Sequence, residues 1–192
     1  MGSQIKRVMI DLETLDTATT AAIVSIGAVR FSKDGVDNFD TFYRAVNWSA
    51  AKPRSISRDT LAWWLVQPAE VQAALKDERA VPLPQALVEF RDWLGADAEV
   101  WAGPANFDLS ILQNAYEQFQ LYTPWQFFNT RCYTTLRRMN PNIPRVASDV
   151  PHNALEDARA QAQHAAQLLE AMAPLETPSA HDASASKADG AA

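Results

Sequence analysis

The chain has a single cysteine, Cys132, among its 192 residues. One thiol excludes a disulfide within the chain and any zinc site built from several cysteines, so a reducing compartment is the expectation. Long apolar runs are also missing. No stretch approaches the roughly 18 consecutive apolar residues of a membrane-spanning helix, so no membrane association is expected. A signal-peptide pattern is not expected either, because Lys6-Arg7 leads straight into a strand that ends in acids. The cytoplasm is the expected location. Positive charge is in short supply, with 17 Lys and Arg against 23 Asp and Glu and a net charge of −6. That balance argues against tight binding to long nucleic-acid duplexes, which depends on phosphate contacts. Seven of the basic residues are grouped closely enough to contribute phosphate contacts: Lys52, Arg54 and Arg58, then Arg131, Arg137, Arg138 and Arg145.

What the chain does have is carboxylates in ordered positions. Asp11 and Glu13 close the apolar run Val8-Met9-Ile10-Asp11-Leu12-Glu13-Thr14. In a strand, alternate residues share a face. Met9, Asp11 and Glu13 therefore lie on one side, and Val8, Ile10 and Leu12 on the other. Two adjacent carboxylates repel unless something positive lies between them, and a divalent cation held by hard oxygen ligands is the usual solution. An exposed strand with alternating charge would read the same way, so the pair has to be weighed with the acids further along the chain.

A helix over about 106–119 would carry an apolar stripe of Ile111, Leu112, Ala115 and Phe119. Asp108 lies on that core-facing side, where an uncompensated carboxylate costs several kcal/mol, roughly. Capping the helix start is the other use for an Asp there, but Asn106 is the better-placed cap. A second amphipathic helix, over about 154–172, is marked by Leu155, Ala158, Ala162, Ala165, Leu169 and Met172. Asp157 falls in its first turn, and His152 precedes it next to Pro151. Singly, each residue has an ordinary explanation, such as an acid on a helix dipole or a structural histidine.

In order, Asp11-x-Glu13, Asp108 and His152-x4-Asp157 resemble the DEDD superfamily of 3′–5′ exonucleases, whose fold is RNase H-like. A His five residues before the last Asp is the mark of the DEDDh (DnaQ-like, RNase T-like) branch. The Tyr branch would have a tyrosine near position 153, where this chain has Asn153. Val8 to Phe31 is similar to a subgroup of single-domain phage and bacterial exonucleases related to a mycobacterial-type exoribonuclease. Trp63-Trp64-Leu65-Val66-Gln67 and Tyr122-Thr123-Pro124-Trp125 resemble that subgroup as well. The likeness covers about residues 7–172. Gly103-Pro104-Ala105-Asn106, before Phe107-Asp108, departs from the commonest forms.

The resemblance implies metal-dependent 3′–5′ hydrolysis of single-stranded nucleic acid, DNA slightly ahead of RNA, with release of nucleoside 5′-monophosphates. Two Mg²⁺ or Mn²⁺ ions about 3.5–4 Å apart would clamp the attacking and leaving oxygens. Asp11, Glu13, Asp108 and Asp157 would hold the ions, with Glu13 also counted as catalytic and His152 as general base. Imidazole suits that task because its ordinary pKa lies near working pH. Leu12, Thr14 and Leu15 would contact the terminal nucleotide. The partners implied are single-stranded DNA or RNA 3′ ends, and related enzymes are often homodimers. A catalytically inactive nucleic-acid-binding protein on the same fold is the alternative, and it would be marked by a missing carboxylate or His; none is missing. A phosphodiesterase specific for short oligonucleotides would share the whole site.

The architecture expected is an α/β, RNase H-like mixed sheet flanked by helices, forming one exonuclease domain over 1–173 with a disordered tail over 174–192. Strands are expected at about 7–12, 22–31 and 38–46, antiparallel neighbours with a turn at Lys33-Asp34-Gly35. Helices come next at about 57–66, 68–76 and 84–94, with a short strand at 99–102. A last strand is expected near 126–129 and a helix near 132–139. Of Trp63 and Trp64, adjacent on one helix, at least one must face the core, and the other is a candidate for stacking on a base. Phe107 is expected in the core, and His164 and His181 lie outside any cluster.

Overall fold

The computed structural model describes residues 6–49 and 54–172. The expected tail at 174–192, and Lys52, lie outside the described residues. Strand β1 (Arg7–Thr14) continues into β2 (Ile23–Ser32) and β3 (Gly35–Ala45). Helices α1 (Arg58–Leu65), α2 (Ala69–Gln72) and α3 (Leu83–Leu94) come after them. Then come β4 (Glu99–Ala102), α4 (Ala105–Gln118), β5 (Thr130–Cys132), α5 (Tyr133–Met139) and α6 (Ala154–Ala171).

These strands make one sheet in the order β3-β2-β1-β4-β5. The first three pair antiparallel, while β4 joins β1 and β5 joins β4 in parallel. The sheet is therefore mixed, as the βββ-then-alternating pattern implies. Strand alternation divides the core in two. Val8, Ile10 and Leu12 pack with Leu87, Phe90, Ile111, Leu112 and Tyr116 from α3 and α4. Met9 packs on the opposite face with Tyr133, Ala158, Ala162, Ala165 and Leu168 from α5 and α6. Each large apolar side chain taken fully out of water contributes about 1.5–3 kcal/mol. Opposed burial on two faces thus fixes the register of β1, since a one-residue slip would exchange the faces.

Three expectations differ from the structure. The segment 127–129 is a 3₁₀ turn, and the last strand is Thr130–Cys132, paired to Val100–Ala102. Phe127 and Phe128, which suggest a buried strand, are both exposed. The helix expected over 68–76 tightens to a 3₁₀ turn at Ala73–Lys76, and its apolar residues Val71, Ala74 and Leu75 pack only partly buried against the cluster around Trp64. Helix α4 begins at Ala105 with Pro104 in the cap position, so Asn106 is not the cap. Pro suits that start because its fixed φ is compatible with helix entry and it has no N–H to satisfy.

Candidate active site

β1 ends at the centre of the sheet, and its last turn of chain carries the acids. Asp11 pairs with Gly27 and Glu13 with Ser25 across the β1–β2 ladder, and the register shifts between Glu13 and Thr14. Bulges of this kind bend a strand and re-aim its side chains. Asp108 enters from the first turn of α4 and is buried, with its Oδ1 accepting the Leu12 N–H at 3.1 Å. Its core-facing position thus agrees with the helical stripe, even though the cap does not.

The α6 N-terminus supplies the other two groups. The Asn153 side chain caps the helix by accepting the N–H groups of Leu155 and Glu156 at 3.1 and 3.2 Å. Asp157 lies one turn in, and its Oδ2 accepts the backbone N–H of His152 at 2.9 Å. His152 has a left-handed backbone, φ 65°, which His tolerates better than most residues. One ligand atom from each of Glu13, His152 and Asp157 lies within 4.8 Å of the others.

The electrostatics show how close the acids are. Burial, together with Asp108, Glu13 and Asp157, raises the Asp11 carboxyl well above the ordinary range. Burial and then the charges of Asp157 and Asp108 push Glu13 up to about 8. Asp108 is pushed to about 7, chiefly by burial. Each of these three carboxyls resists ionisation because burial disfavours its charged form, joined at Asp11 and Glu13 by the neighbouring acids. Such a set fits hard divalent cations, which favour carboxylate oxygens.

An open cleft adjoins these groups, lined by Leu12, Glu13, Thr14, Asp59, Trp63 and Phe107, among others. Of the three residues expected at the terminal nucleotide, Leu12 and Thr14 line this cleft. Leu15 does not: its side chain is fully buried beside Ala22, Val24 and Trp64. Its N–H donates to the Ala22 carbonyl and its C=O accepts the Ser57 N–H, at 2.9 and 2.8 Å. Trp64 is the core tryptophan, donating its Nε1–H to the Thr14 carbonyl at 2.9 Å. Trp63 stays partly exposed, with its ring edge-to-face on the His152 imidazole at a centroid distance of 4.8 Å. Phe107 is only partly buried, packed on the core while also lining the cleft.

Arg54 also differs from its sequence reading. It is buried, donating to the carbonyls of Ala21 and Thr19 and to Gln118 Oε1 at 2.6, 2.9 and 2.7 Å, so its guanidinium is engaged within the fold. Sequence reasoning missed three residues of the site region. Gly27 makes room for the start of α6. Gln161 donates to Asp11 Oδ1 at 2.7 Å. Buried His164 bonds the Tyr133 hydroxyl at 2.8 Å and the Ile143 carbonyl at 3.2 Å, tying α6 to α5 and to the loop between them. A signal existed for Gln161 alone, since it lies four residues beyond Asp157 on one helix.

Residues 6–169 match the family model of the 3′–5′ exoribonuclease Rv2179c-like domain. The chain belongs to that family. The resemblance to the exoribonuclease-related subgroup thus stands at the level of family, and the fold is shared with solved exonucleases. The nuclease domain of 3′hExo, a DEDDh family member bound to rAMP, is 16% identical with a TM-score of 0.61, covering 89% of this chain and 94% of that one. Exonuclease X in complex with 5′ overhanging duplex DNA is 19% identical with a TM-score of 0.56, over 86% and 92% of the two chains. Exonuclease I from Methylocaldum szegediense is 14% identical with a TM-score of 0.65 over 88% of this chain, which spans only 41% of that protein. No curated protein matches the chain by sequence.

Proposed function

We propose that the protein removes nucleotides from the 3′ end of single-stranded nucleic acid, releasing nucleoside 5′-monophosphates. The observation that carries this reading is the convergence of Asp11, Glu13, Asp108 and Asp157, with burial and the neighbouring acids raising Asp11 and Glu13 and with His152 beside Glu13 and Asp157.

Asp11, Glu13, Asp108 and Asp157 would hold two divalent cations, Mg²⁺ or Mn²⁺, which supply charge stabilisation at the attacking and leaving oxygens of the phosphodiester. The remaining work falls to the chain. His152 takes the proton of the attacking water, and its place is set by the bond from its own N–H to Asp157 and by the Trp63 ring against its imidazole. The Leu12 N–H holds Asp108, so the end of β1 and the start of α4 move as one unit. The cleft beside Leu12, Thr14, Trp63 and Phe107 receives the terminal nucleotide, with apolar surface for a base and backbone for the sugar. The exoribonuclease description of the matched family weighs towards RNA, against the lean to DNA drawn from the phage-type resemblance.

The test is digestion of 3′- and 5′-labelled single-stranded RNA and DNA by purified protein with Mg²⁺, Mn²⁺ or EDTA. Mononucleotides released from the 3′ end, and only with metal, are the expected products. Digestion that survives EDTA, or that starts from the 5′ end, would sink the proposal.

A further inference from the structure

We infer that Gln161 is a positioning residue for Asp11: its side-chain amide sets the rotation of that carboxylate and so how Asp11 presents itself to divalent cations. The inference rests on the cation-dependent reading of the site. Gln161 Nε2 donates to Asp11 Oδ1 at 2.7 Å across 150 residues of sequence. Gln161 lies on α6 four residues after Asp157, hence on the same helical face one turn further on. One helix therefore supplies both a candidate ligand and a support for another.

The room for this amide is specific. A Cβ on Gly103, just past the end of β4, would lie 2.9 Å from Gln161 Oε1 and 2.6 Å from the Tyr133 ring. The orientation is specific too. Gln161 Oε1 is buried and has no hydrogen-bond partner. Turning the amide over would set this acceptor against the oxygens of the ionised carboxylate, so for the form that holds cations Nε2 towards Asp11 is the orientation that makes a bond. A buried acceptor without a partner is unfavourable, and a side chain kept here for packing alone would do better without one. What the amide adds is a donor to Asp11.

Charge explains why the donor is an amide. Lys or Arg at 161 would hold Asp11 as well, but would add a positive charge that competes with the cations. An acid would repel Asp11. A neutral donor fixes the carboxylate and leaves its charge for the metal. Partners of this kind, which orient a ligand without touching the ion, typically contribute about 10–100-fold in metal affinity or activity.

The experiment compares wild type, Gln161→Met and Gln161→Lys by calorimetric Mn²⁺ titration, steady-state kinetics on a labelled oligonucleotide, and thermal melting in EDTA. Gln161→Met keeps the length and removes the donor. It is expected to weaken Mn²⁺ binding by about 10–100-fold and lower kcat by a similar factor, with KM for the oligonucleotide unchanged. Gln161→Lys is expected to melt higher in EDTA yet bind Mn²⁺ more weakly. A Met variant that binds Mn²⁺ as wild type does overturns the inference, whatever its melting point. If the Met variant does not fold, a folded Lys variant with wild-type Mn²⁺ affinity overturns it instead. A wild-type protein that neither binds Mn²⁺ nor digests the oligonucleotide overturns the underlying reading, and the wild-type arm alone shows which has failed.

Discussion

Gly27 on β2 faces Ala154 at the start of α6 so closely that a Cβ on Gly27 would sit 2.1 Å from the Ala154 carbonyl carbon and 2.3 Å from its oxygen. The same glycine pairs with Asp11 across the β1–β2 ladder. The absence of one methyl group therefore brings the helix that carries Asp157 against the strand that carries Asp11 and Glu13. The conflict would be with backbone, which cannot swing aside as a side chain can. Gly27→Ala is expected to destabilise the fold by about 1–3 kcal/mol, the usual cost of overpacking, and to weaken Mn²⁺ binding as the α6 N-terminus moves off. Thermal melting and calorimetric titration check both. Unchanged values on the two measurements would mean that the approach is not tight.

Asp11→Asn keeps the shape of the side chain and removes its charge. Catalysis and high-affinity Mn²⁺ binding are expected to vanish together. Without metal, the variant is expected to be more stable than wild type at neutral pH, because Asp11 is raised by burial and then by Asp108, Glu13 and Asp157. The gain comes from removing a charge that burial and the neighbouring acids disfavour. Denaturant titration in EDTA reads it, and a loss of stability there would contradict the electrostatic account.

His152→Ala separates proton transfer from metal binding. Turnover is expected to fall by about 10²–10⁴-fold, the worth of a positioned general base, while Mn²⁺ affinity stays near that of wild type. Single-turnover kinetics beside calorimetry distinguishes the two. Near-normal turnover would make His152 structural and remove the reason for its placement on Asp157.

Stability without metal is expected to depend on pH in an unusual direction. Glu13 moves from 4.5 in the unfolded chain to about 8 in the folded one, and Asp108 from 3.8 to about 7, both chiefly through burial. Between those values the folded state binds more protons than the unfolded state, so stability falls as pH rises. The contribution of these acids is whole below about pH 4 and is lost progressively up to about pH 8. In EDTA the melting midpoint is expected to drop across pH 5–8, about the window between the two sets of values, and added Mn²⁺ to flatten the drop. Asp11→Asn should flatten it as well. A midpoint that climbs through this window in EDTA would refute the assignment.

Substrate form is expected to follow the charge. A chain of net charge −6 has little to offer a long duplex. Single strands and 3′ overhangs are expected to be digested faster than blunt duplexes of the same sequence. A matched assay at fixed salt checks this, and preference for the blunt duplex would count against it.

Local rules carried much of the candidate site. Period-two alternation puts Asp11 and Glu13 on the face opposite Val8, Ile10 and Leu12, and the core divides along the same line. Helical spacing puts Asp108 inward and Asp157 in a first turn. Those rules failed where only context decides. Arg54 looks like a phosphate contact among other basic residues, yet it is enclosed by carbonyls from 19, 21 and 111. Leu15 comes directly after the acids in sequence, but the chain has by then turned into the core beneath Trp64. Phe127 and Phe128 carry the composition of a buried strand and face outward.

The sequence by itself determined the first four strands and most of the helices that flank them, the faces on which the acids lie, and the order of the five candidate residues, because each of these depends on side-chain periods of two or 3.6 along a single element. The tertiary structure alone decided that Gln161 holds Asp11, that Trp63 rests against His152 and that Gly27 lets α6 descend onto β2. These are contacts between elements distant in sequence. They depend on how closely packed surfaces approach, to a few tenths of an ångström, and no periodicity within a single element encodes that distance.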